Sequence, residues 1–356
     1  MRVHHIINSY SLHAGGAERL VRRLHSGIRE RGIESFLFGL IAHDEPQVQH
    51  ALSAGLQTPY SINSFLKLMR YFIDYVKPND IVHAHLSPCL FYCATAKRLL
   101  RWPGPLVSTE HHTTNNRRGK LHGRLLDRLT YPMMSTVVCI SKGARDALEK
   151  WMPCTYNRTL IIPNGIESRF EVIPERIEKP ILSLLSVGRL HPSKNYSTIL
   201  QALVGLKREW EYQIAGDGPL QSDLERLTHE LGIAERVRFL GHVPDVAPLL
   251  SKADIFLIPS AWEGFGLAAV EAMDAGLPII ASDIPGLQEL SDPKSPSLIL
   301  VDPNNPGSIT RELLNLADSP QLRKQLGKRA FGRAKLYTLD QCIEKHICLY
   351  ENLFVL

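Results

Sequence analysis

Two glutamates, Glu263 and Glu271, flank a glycine-rich turn, Glu-Gly-Phe-Gly-Leu-Ala-Ala-Val-Glu, in the second half of the sequence. The apolar run 255–259 precedes the turn, so the pattern predicts a buried strand, a tight turn and a helix start. Gly264 and Gly266 would let the backbone approach an anion, which the free amides at the helix start would bind. Isolated glutamates beside a turn are usually solvated charges. With the strand and both glycines present, the pattern favours a diphosphate site in which Glu271 binds a ribose and Glu263 a sugar.

A second loop supplies fixed positive charge. The run Ser186-Val-Gly-Arg-Leu-His-Pro-Ser-Lys-Asn195 follows another strand-like segment. Ligand crevices of α/β sheets lie at the carboxyl ends of the strands. Arg189 and Lys194 would therefore face a pyrophosphate, and an arginine can bind two phosphate oxygens at once. Taken alone, this loop would be an ordinary solvated surface, so its assignment depends on the glycine-rich turn.

Two further glycine loops follow strand-like segments. Ala215-Gly-Asp-Gly-Pro219 is not a Gly-x-Gly-x-x-Gly fingerprint, because Gln221 stands where the last glycine would be, and this disfavours a nicotinamide cofactor. Ala14-Gly-Gly-Ala-Glu-Arg19 opens a helix predicted over 17–31, and a helix amino terminus binds anions readily. A plain strand-to-helix turn explains this second loop equally well.

Two adjacent histidines, His111 and His112, come directly after a strand predicted to end near Thr109. A histidine at the carboxyl end of a strand can donate a hydrogen bond to a sugar hydroxyl or polarise a reacting centre. Most lone histidines are only packed or solvated. His111 and His112 both lie where the wall of a ligand cleft is expected.

A basic stretch follows the two histidines and contains Arg117, Arg118, Lys120, Arg124 and Arg128. If residues from 121 onward are helical, Arg124 and Arg128 share one face. A solvated basic face is the commonest outcome for such a run. A phosphate-bearing acceptor or an anionic membrane surface is the alternative that we carry forward.

The sequence gives little support for a metal site or a protein nucleophile. His83 and His85 share one face of a predicted strand, but no third ligand is evident, so we interpret them as core or cleft wall. There is no Gly-x-Ser-x-Gly elbow and no Walker loop.

Apolar strand-like runs alternate with amphipathic stretches along the chain, which is typical of parallel sheets with helices on both faces. We expect two Rossmann-like doubly wound domains facing a central cleft. The predicted boundaries are residues 1–166 for the first domain, 167–180 for a linker rich in charge and proline, 181–338 for the second domain, and 339–356 for a last helix that crosses back onto the first domain.

The composition excludes several classes of protein. The hydrophobic fraction of 44% and the charged fraction of 22% are those of a globular protein, and we expect no signal peptide, no membrane span and no nucleic-acid partner. The six cysteines are scattered, so a cytoplasmic location is expected. Residues 1–165 carry 21 Lys and Arg against 11 Asp and Glu, a net charge of +10. The whole chain carries +5, which leaves −5 for the rest. The basic first half could meet phosphates or a membrane surface.

Taken together, these motifs resemble the retaining glycosyltransferases of the GT-B fold, family four, also called glycosyl transferases group 1. The resemblance runs nearly end to end. It rests on Gly15-Gly16-Ala-Glu-Arg, Ile140-Ser-Lys, Pro163-Asn-Gly-Ile, Gly188-Arg-Leu-x-x-x-Lys-Asn, Gly216-Asp-Gly-Pro, and Glu263 with Glu271 at the family's spacing. Asp274 departs from the pattern, since a small residue is usual there, and we expect it only to alter the helix surface.

The resemblance implies a role for each matching residue. The expected catalytic residues are His111, Glu263, Arg189 and Lys194. For the histidine, the offset from Thr109 favours His111, and His112 is the alternative. The expected donor-binding residues are Gly16, Gly188, Arg189, Lys194, Gly216, Gly264, Phe265, Gly266, Leu267 and Glu271. The expected acceptor or membrane surface is Arg117, Arg118, Lys120 and Arg124. No metal and no cofactor are expected, because fixed cations and helix amino termini would do the work of a metal.

The implied reaction is transfer of a hexose-type sugar from a nucleotide-sugar, with a UDP-sugar favoured, to a glycan or polyprenyl-phosphate-linked acceptor in surface polysaccharide or glycolipid synthesis. Closure of the two domains would bring His111 to the donor. The expected location is the cytoplasm, with peripheral contact at the inner face of the membrane. A nucleotide-sugar 2-epimerase and a catalytically idle sugar-nucleotide-binding protein are the alternatives, and a nicotinamide dehydrogenase is a third.

Overall fold

The computed structural model describes residues 1–11, 15–42, 48–113 and 117–354. The chain divides into two compact units: unit 1 comprises residues 1–165 and 339–356, and unit 2 comprises residues 166–338. Each unit contains one parallel sheet with helices, so the predicted class of two doubly wound α/β domains is confirmed.

Unit 1 is built on a seven-stranded sheet with the order β3-β2-β1-β4-β5-β6-β7. All of its neighbouring strands are parallel. The strands are β1 (Arg2–Ile7), β2 (Glu34–Ile41), β3 (Ala51–Leu56), β4 (Ile81–His85), β5 (Leu106–Glu110), β6 (Thr136–Cys139) and β7 (Thr159–Ile161). The helices are α1 (Gly16–Glu30), α2 (Ile62–Tyr75), α3 (Cys89–Leu99), α4 (Leu121–Thr130) and α5 (Lys142–Trp151). The strand order reverses between β1 and β4, which places a ligand crevice at their carboxyl ends.

Unit 2 is built on a six-stranded sheet with the order β10-β9-β8-β11-β12-β13, again with all neighbours parallel. The strands are β8 (Leu182–Val187), β9 (Trp210–Ala215), β10 (Val237–Gly241), β11 (Ile255–Ile258), β12 (Ile279–Ser282) and β13 (Ile299–Val301). The helices are α6 (Tyr196–Leu203), α7 (Gln221–Glu230), α8 (Ala247–Lys252), α9 (Leu267–Asp274), α10 (Pro285–Gln288), α11 (Pro306–Asp318) and α12 (Pro320–Ala334). Here the order reverses between β8 and β11.

The last helix, α13 (Leu339–Phe354), belongs to unit 1. Its residues Ile343 and Tyr350 are buried in one apolar cluster with Leu24 and Ile28 of α1 and with strand residues such as Val3. Helices α1 and α13 therefore cover the same face of the first sheet, and each fully buried aliphatic side chain there contributes about 1.5–3 kcal/mol relative to exposure.

The stretch 167–180, expected to be a linker, lies within unit 2 and packs against it. The Arg176 guanidinium donates hydrogen bonds to the carbonyl oxygens of Leu250, Ala253 and Ala275 at 3.0, 2.8 and 2.8 Å. Burial lowers the pKa of this side chain to about 10. Proline and charge predicted an interdomain linker here; in the structure, three carbonyl groups accept hydrogen bonds from Arg176 and hold the segment against unit 2.

Across the described ranges, no helix is both long enough and apolar enough to cross a membrane.

Candidate functional site

The loops after β8 and β9 in unit 2 pack backbone against backbone. Gly216 has a φ of +145°, and a Cβ atom there would lie 2.1 Å from the carbonyl oxygen of Gly188. The amide of Leu190 donates to the carbonyl of Asp217 at 2.7 Å. Only glycine permits this approach. Gly216 therefore fixes the loop that carries Arg189, whose side chain is exposed.

Lys194 and Glu263, predicted on two separate loops, are in direct contact. The Lys194 ammonium donates to Glu263 Oε1, and the Ser260 hydroxyl donates to the same oxygen at 2.9 Å. The two loops are also joined by a hydrogen bond from the amide of Ala261 to the carbonyl of Ser193, at 2.8 Å. The Lys194 and Glu263 side chains remain 23% and 13% exposed, so the ion pair is accessible to a ligand. Ser260 was not predicted, because nothing in the sequence shows that its hydroxyl reaches Glu263.

The glycine-rich turn after β11 has the strand–turn–helix geometry that the sequence predicts. Gly266 adopts a φ of +87° at the amino-terminal end of α9. Glycine has no side chain to cap the first amides of the helix, a condition that favours anion binding there. Phe265 is 3% exposed and packs edge-on against Tyr337, with ring centroids 5.4 Å apart. Leu267 is the first residue of α9, and Glu271 lies on the same helix, half-buried.

Asp274, at the end of α9, corrects one expectation. The sequence suggested that it only alters the helix surface, but its side chain is buried, with a relative exposure of 2%. It accepts hydrogen bonds from the Ser168 hydroxyl and the Arg169 amide, both at 2.7 Å, and from the Phe170 amide at 3.3 Å. The Lys335 ammonium lies 3.6 Å away. The expectation was wrong because these partners are far away in sequence.

In unit 1, α1 begins at Gly16, with Gly15 as the residue before the first turn. Ala14, the first residue of this motif, lies outside the described residues. Glu18 lies in the first helical turn, and burial raises the pKa of its carboxyl group. Gly16 is thus at a helix start after β1, at the switch point of the first sheet.

His111 and His112 differ in their surroundings. His111 is 5% exposed, and both of its ring nitrogens are buried without a hydrogen-bond partner among the residues that the structure describes. His112 is exposed. Burial lowers the pKa of His111 to about 3, so the ring is neutral at pH 7. A neutral imidazole can donate to one hydroxyl and accept from another.

A layer of buried histidines lies behind His111, on the sheet face covered by α1 and α13. His5 and His83 are register partners on β1 and β4, and His85 follows on the same face. His5 Nδ1 and His85 Nε2 lie 3.1 Å apart and share a hydrogen bond. The sequence did not indicate this third histidine because His5 comes from a different strand.

His5, His83 and His85 are the three residues in the described chain whose positions would permit a shared metal ion. Both His83 nitrogens already have partners, the Tyr350 hydroxyl at 2.6 Å and the Thr109 hydroxyl at 2.7 Å. His5 and His85 bond to each other through one nitrogen each, and their other nitrogens, His5 Nε2 and His85 Nδ1, are buried without a hydrogen-bond partner among the described residues. The cluster is better described as hydrogen-bonded neutral imidazoles.

The basic stretch divides into a part-buried and an exposed portion. Arg117 lies 3.4 Å from Asp127, and Arg118 lies 3.5 Å from Glu110. Both acids are buried, and the two arginine side chains are only 21% and 11% exposed. Their assignment to an outer acceptor or membrane surface is therefore corrected: they form ion pairs with buried acids.

Lys120 and Arg124 are exposed, as is Arg128. A further feature of α4 was not predicted: Leu121, Leu125 and Leu129, four positions apart, are 77%, 54% and 54% exposed. Residues at this spacing form one stripe on a helix. The exposed face of α4 thus combines an apolar stripe with basic side chains.

Two family models match the chain. The model for glycosyltransferase family 4 matches residues 14–170, and the model for glycosyl transferases group 1 matches residues 170–333. The chain belongs to glycosyltransferase family 4. The expected enzyme class and the GT-B fold are confirmed.

This glycosyltransferase is 28% identical over 349 residues to the Campylobacter jejuni N-acetylgalactosamine-N,N'-diacetylbacillosaminyl-diphospho-undecaprenol 4-alpha-N-acetylgalactosaminyltransferase, with 92% of this chain and 94% of the relative covered. It is 29% identical over 227 residues to the Escherichia coli UDP-Gal:alpha-D-GlcNAc-diphosphoundecaprenol alpha-1,3-galactosyltransferase, with 58% of each chain covered. The Anabaena protein HepE, solved in complex with UDP, has the same fold, with a TM-score of 0.83, 19% identity and full coverage of both chains.

Proposed function

We propose that this glycosyltransferase moves a hexose-type sugar, with retention of anomeric configuration, from a UDP-sugar to a polyprenyl-phosphate-linked glycan. The observation that carries the proposal is the contact between Lys194 and Glu263 at the switch point of unit 2, beside the Gly264–Gly266 turn. A cation for phosphate and a carboxylate for sugar hydroxyls are the two groups that a nucleotide-sugar requires at adjacent positions.

In the proposed reaction, the bond between the anomeric carbon and the β-phosphate oxygen breaks while the acceptor oxygen bonds to that carbon. Negative charge builds on the departing UDP, and Arg189, Lys194 and the first amides of α9 stabilise it. The acceptor attacks from the face that the phosphate leaves, and the phosphate takes the acceptor's proton. These fixed charges supply what a metal ion would, so the proposed reaction is metal-independent.

The remaining site residues bind and orient the donor in this proposal. Glu271 accepts hydrogen bonds from the ribose hydroxyls, and Glu263 from hydroxyls of the transferred sugar. His111 exchanges a hydrogen bond with a sugar hydroxyl, for which its two buried and unsatisfied ring nitrogens are suited.

The choice of substrates is supported by the relatives. The E. coli relative is named for a UDP-sugar donor, and both named relatives act on a diphospho-undecaprenol-linked sugar. The HepE structure contains UDP. The basic excess of residues 1–165 is consistent with a phosphate-bearing acceptor.

A nucleotide panel tests the donor assignment. UDP should raise the thermal unfolding temperature of the protein more than GDP or ADP, because bound ligand stabilises the folded state by mass action. The gain should be lost in Lys194→Ala and retained in Lys207→Ala, an exposed lysine of the same unit. A preference for GDP would contradict the UDP assignment, and equal gains in both variants would contradict the role of Lys194.

Product analysis separates the rival functions. A 2-epimerase would convert the nucleotide-sugar to its epimer with no acceptor present. A catalytically idle binding protein would neither transfer the sugar nor hydrolyse the nucleotide-sugar. The proposed transferase needs acceptor for turnover and works equally well in EDTA.

We further propose that α4 docks this enzyme on the inner face of an anionic membrane. The apolar stripe of Leu121, Leu125 and Leu129 would enter the interface, and Lys120, Arg124 and Arg128 would meet lipid phosphates. The opposite charges of helix and lipid surface favour this partner over a neutral protein surface.

Vesicle sedimentation tests the docking surface. Arg124→Glu combined with Arg128→Glu should lower partitioning onto anionic vesicles by about thirtyfold or more, since each basic residue contributes about 1 kcal/mol. The matched control is Lys324→Glu with Lys328→Glu, two exposed lysines at the same spacing on α12. A parent protein that does not bind the vesicles, or an equal loss in the control, would refute the docking surface.

A further inference from the structure

Helix α9 follows the glycine-rich turn of the proposed donor site. Residues at both of its ends contact the two segments in which the chain passes between the units, which we call the first passage and the return passage. The chain passes from unit 1 to unit 2 at residues 165–166 and returns at 338–339. These two passages lie side by side, because Ile166 pairs with Thr338 and donates its amide to the carbonyl of Tyr337 at 2.9 Å.

Each end of α9 contacts one passage. Before the helix begins, Phe265 packs on Tyr337, the residue that precedes the return passage. At the helix end, Asp274 binds Ser168 and the amides of Arg169 and Phe170, just after the first passage. Lys335 completes the network by lying close to both Asp274 and the Ser168 hydroxyl.

Asp274 occupies a position that is electrostatically unfavourable for a carboxylate, which indicates that its contacts with residues 168–170 are specific. A carboxylate at the last residue of a helix faces the negative end of the helix dipole, and burial adds a desolvation penalty. Three hydrogen bonds and one nearby ammonium offset both costs. A small residue at this position would avoid the costs but would leave α9 unattached to the first passage.

We propose that Asp274 is a positioning residue of the donor site, and this rests on the proposed function of α9. By tying the carboxyl end of the helix to residues 168–170, it sets the orientation of Glu271, three positions earlier, and of the Gly264–Gly266 turn at the other end. It acts through the helix and does not itself touch the donor.

Hydrogen exchange of the unliganded protein is the first test. In Asp274→Ala, the amides of Arg169 and Phe170 should exchange about tenfold faster, and so should those of Ala269 and Val270, which bond to the Gly266 carbonyl in the first turn of α9. Asp274→Asn keeps an accepting oxygen and should restore most of the protection. The control is Asp254→Ala, because Asp254 likewise binds a backbone amide of unit 2, that of Ser183 at 2.8 Å. Unchanged exchange at Ala269 and Val270 in Asp274→Ala would overturn the proposal.

Donor kinetics are the second test, with UDP-glucose as the probe. Asp274→Ala should raise the KM for the donor and lower kcat by about tenfold each, Asp274→Asn should recover much of both, and Asp254→Ala should leave both unchanged. Equal kinetics in Asp274→Ala and the parent would refute a positioning role. A parent that binds and turns over no nucleotide-sugar refutes the proposed function instead, and the exchange experiment then decides the role of Asp274 on its own.

Discussion

Replacing Lys194 with alanine should lower kcat/KM for sugar transfer by about two to three orders of magnitude, equivalent to about 3–4 kcal/mol of transition-state stabilisation. The reason is that the Lys194 ammonium is a fixed charge beside Glu263 and the Gly264–Gly266 turn, where the leaving phosphate would develop its charge. Steady-state kinetics with a UDP-sugar and a lipid-linked acceptor measure the loss.

The controls distinguish the loss of the Lys194 charge from a loss of folded structure. The Lys194–Glu263 pair is partly exposed, so its loss should change the unfolding temperature little. Lys194→Arg keeps the charge but changes the point of contact, and it should recover only part of the activity. Lys207→Ala should behave as the parent does. Normal turnover by a folded Lys194→Ala protein would remove this residue from the mechanism.

Unit 1 should unfold at mildly acidic pH while unit 2 stays folded. Seven histidines in the described part of unit 1 are buried: His4, His5, His25, His83, His85, His111 and His346. Burial lowers the pKa of each of them, to about 4 for His25 and His346. The three histidines of unit 2, His191, His229 and His242, are exposed.

The direction of this effect follows from proton binding. The pKa of a histidine in the unfolded chain is about 6.5. Above that pH, these histidines are neutral in both the folded and the unfolded chain, and unit 1 has its full stability. As the pH falls below 6.5, the unfolded chain binds protons that the folded unit does not, so each buried histidine lowers the free energy of unfolding by up to about 1.4 kcal/mol per pH unit. Together they should remove on the order of 10 kcal/mol between pH 6.5 and 5, comparable to the whole stability of a domain.

Urea unfolding followed by hydrogen exchange in each unit tests this expectation between pH 7.5 and 5. His85→Leu removes one titrating ring and should make the pH dependence of unit 1 shallower by up to one proton. His242→Gln, at an exposed site in unit 2, should not change it. Retention of full protection in unit 1 at pH 5 would show that these rings are not held neutral.

Buried parallel strands were the most predictable part of the fold. Strands such as β8 and β11 are buried on both faces and therefore appear as continuous apolar runs. Strand β3 is not predictable in this way, because it lies at the sheet edge, contains Ser53 and Gly55, and leaves Leu52 44% exposed. Edge strands carry no such apolar signal.

Helix α12 is hard to predict from the sequence for a different reason. Its buried face consists largely of small residues, including Ala330 and Ala334, among many basic side chains. Gly327 interrupts the pattern, yet a Cβ atom there would lie 2.2 Å from the carbonyl oxygen of Gly276. The glycine is required by close helix packing, which a single sequence does not reveal.

The candidate site was predictable where chemistry is local in sequence. The glycine-rich turn and the basic loop after β8 follow from strand–turn–helix patterning, and the sheet topology explains why Lys194 and Glu263 meet. Ser260, Asp274 and His5 take their roles from partners on other elements. The ion pairs of Arg117 and Arg118 likewise depend on where Asp127 and Glu110 fold.

The return of α13 to unit 1 has a consequence for synthesis on the ribosome. All of unit 2 is translated before residues 339–354, so unit 2 can complete its core while the face of the first sheet that α13 covers is still bare. During translation, Val3, Ile81 and the histidine layer of unit 1 therefore stay uncovered on that side of the sheet. They become buried only when α13 has been synthesised and packs on them. Chaperone dependence during translation should therefore concentrate in the half of the protein that is made first.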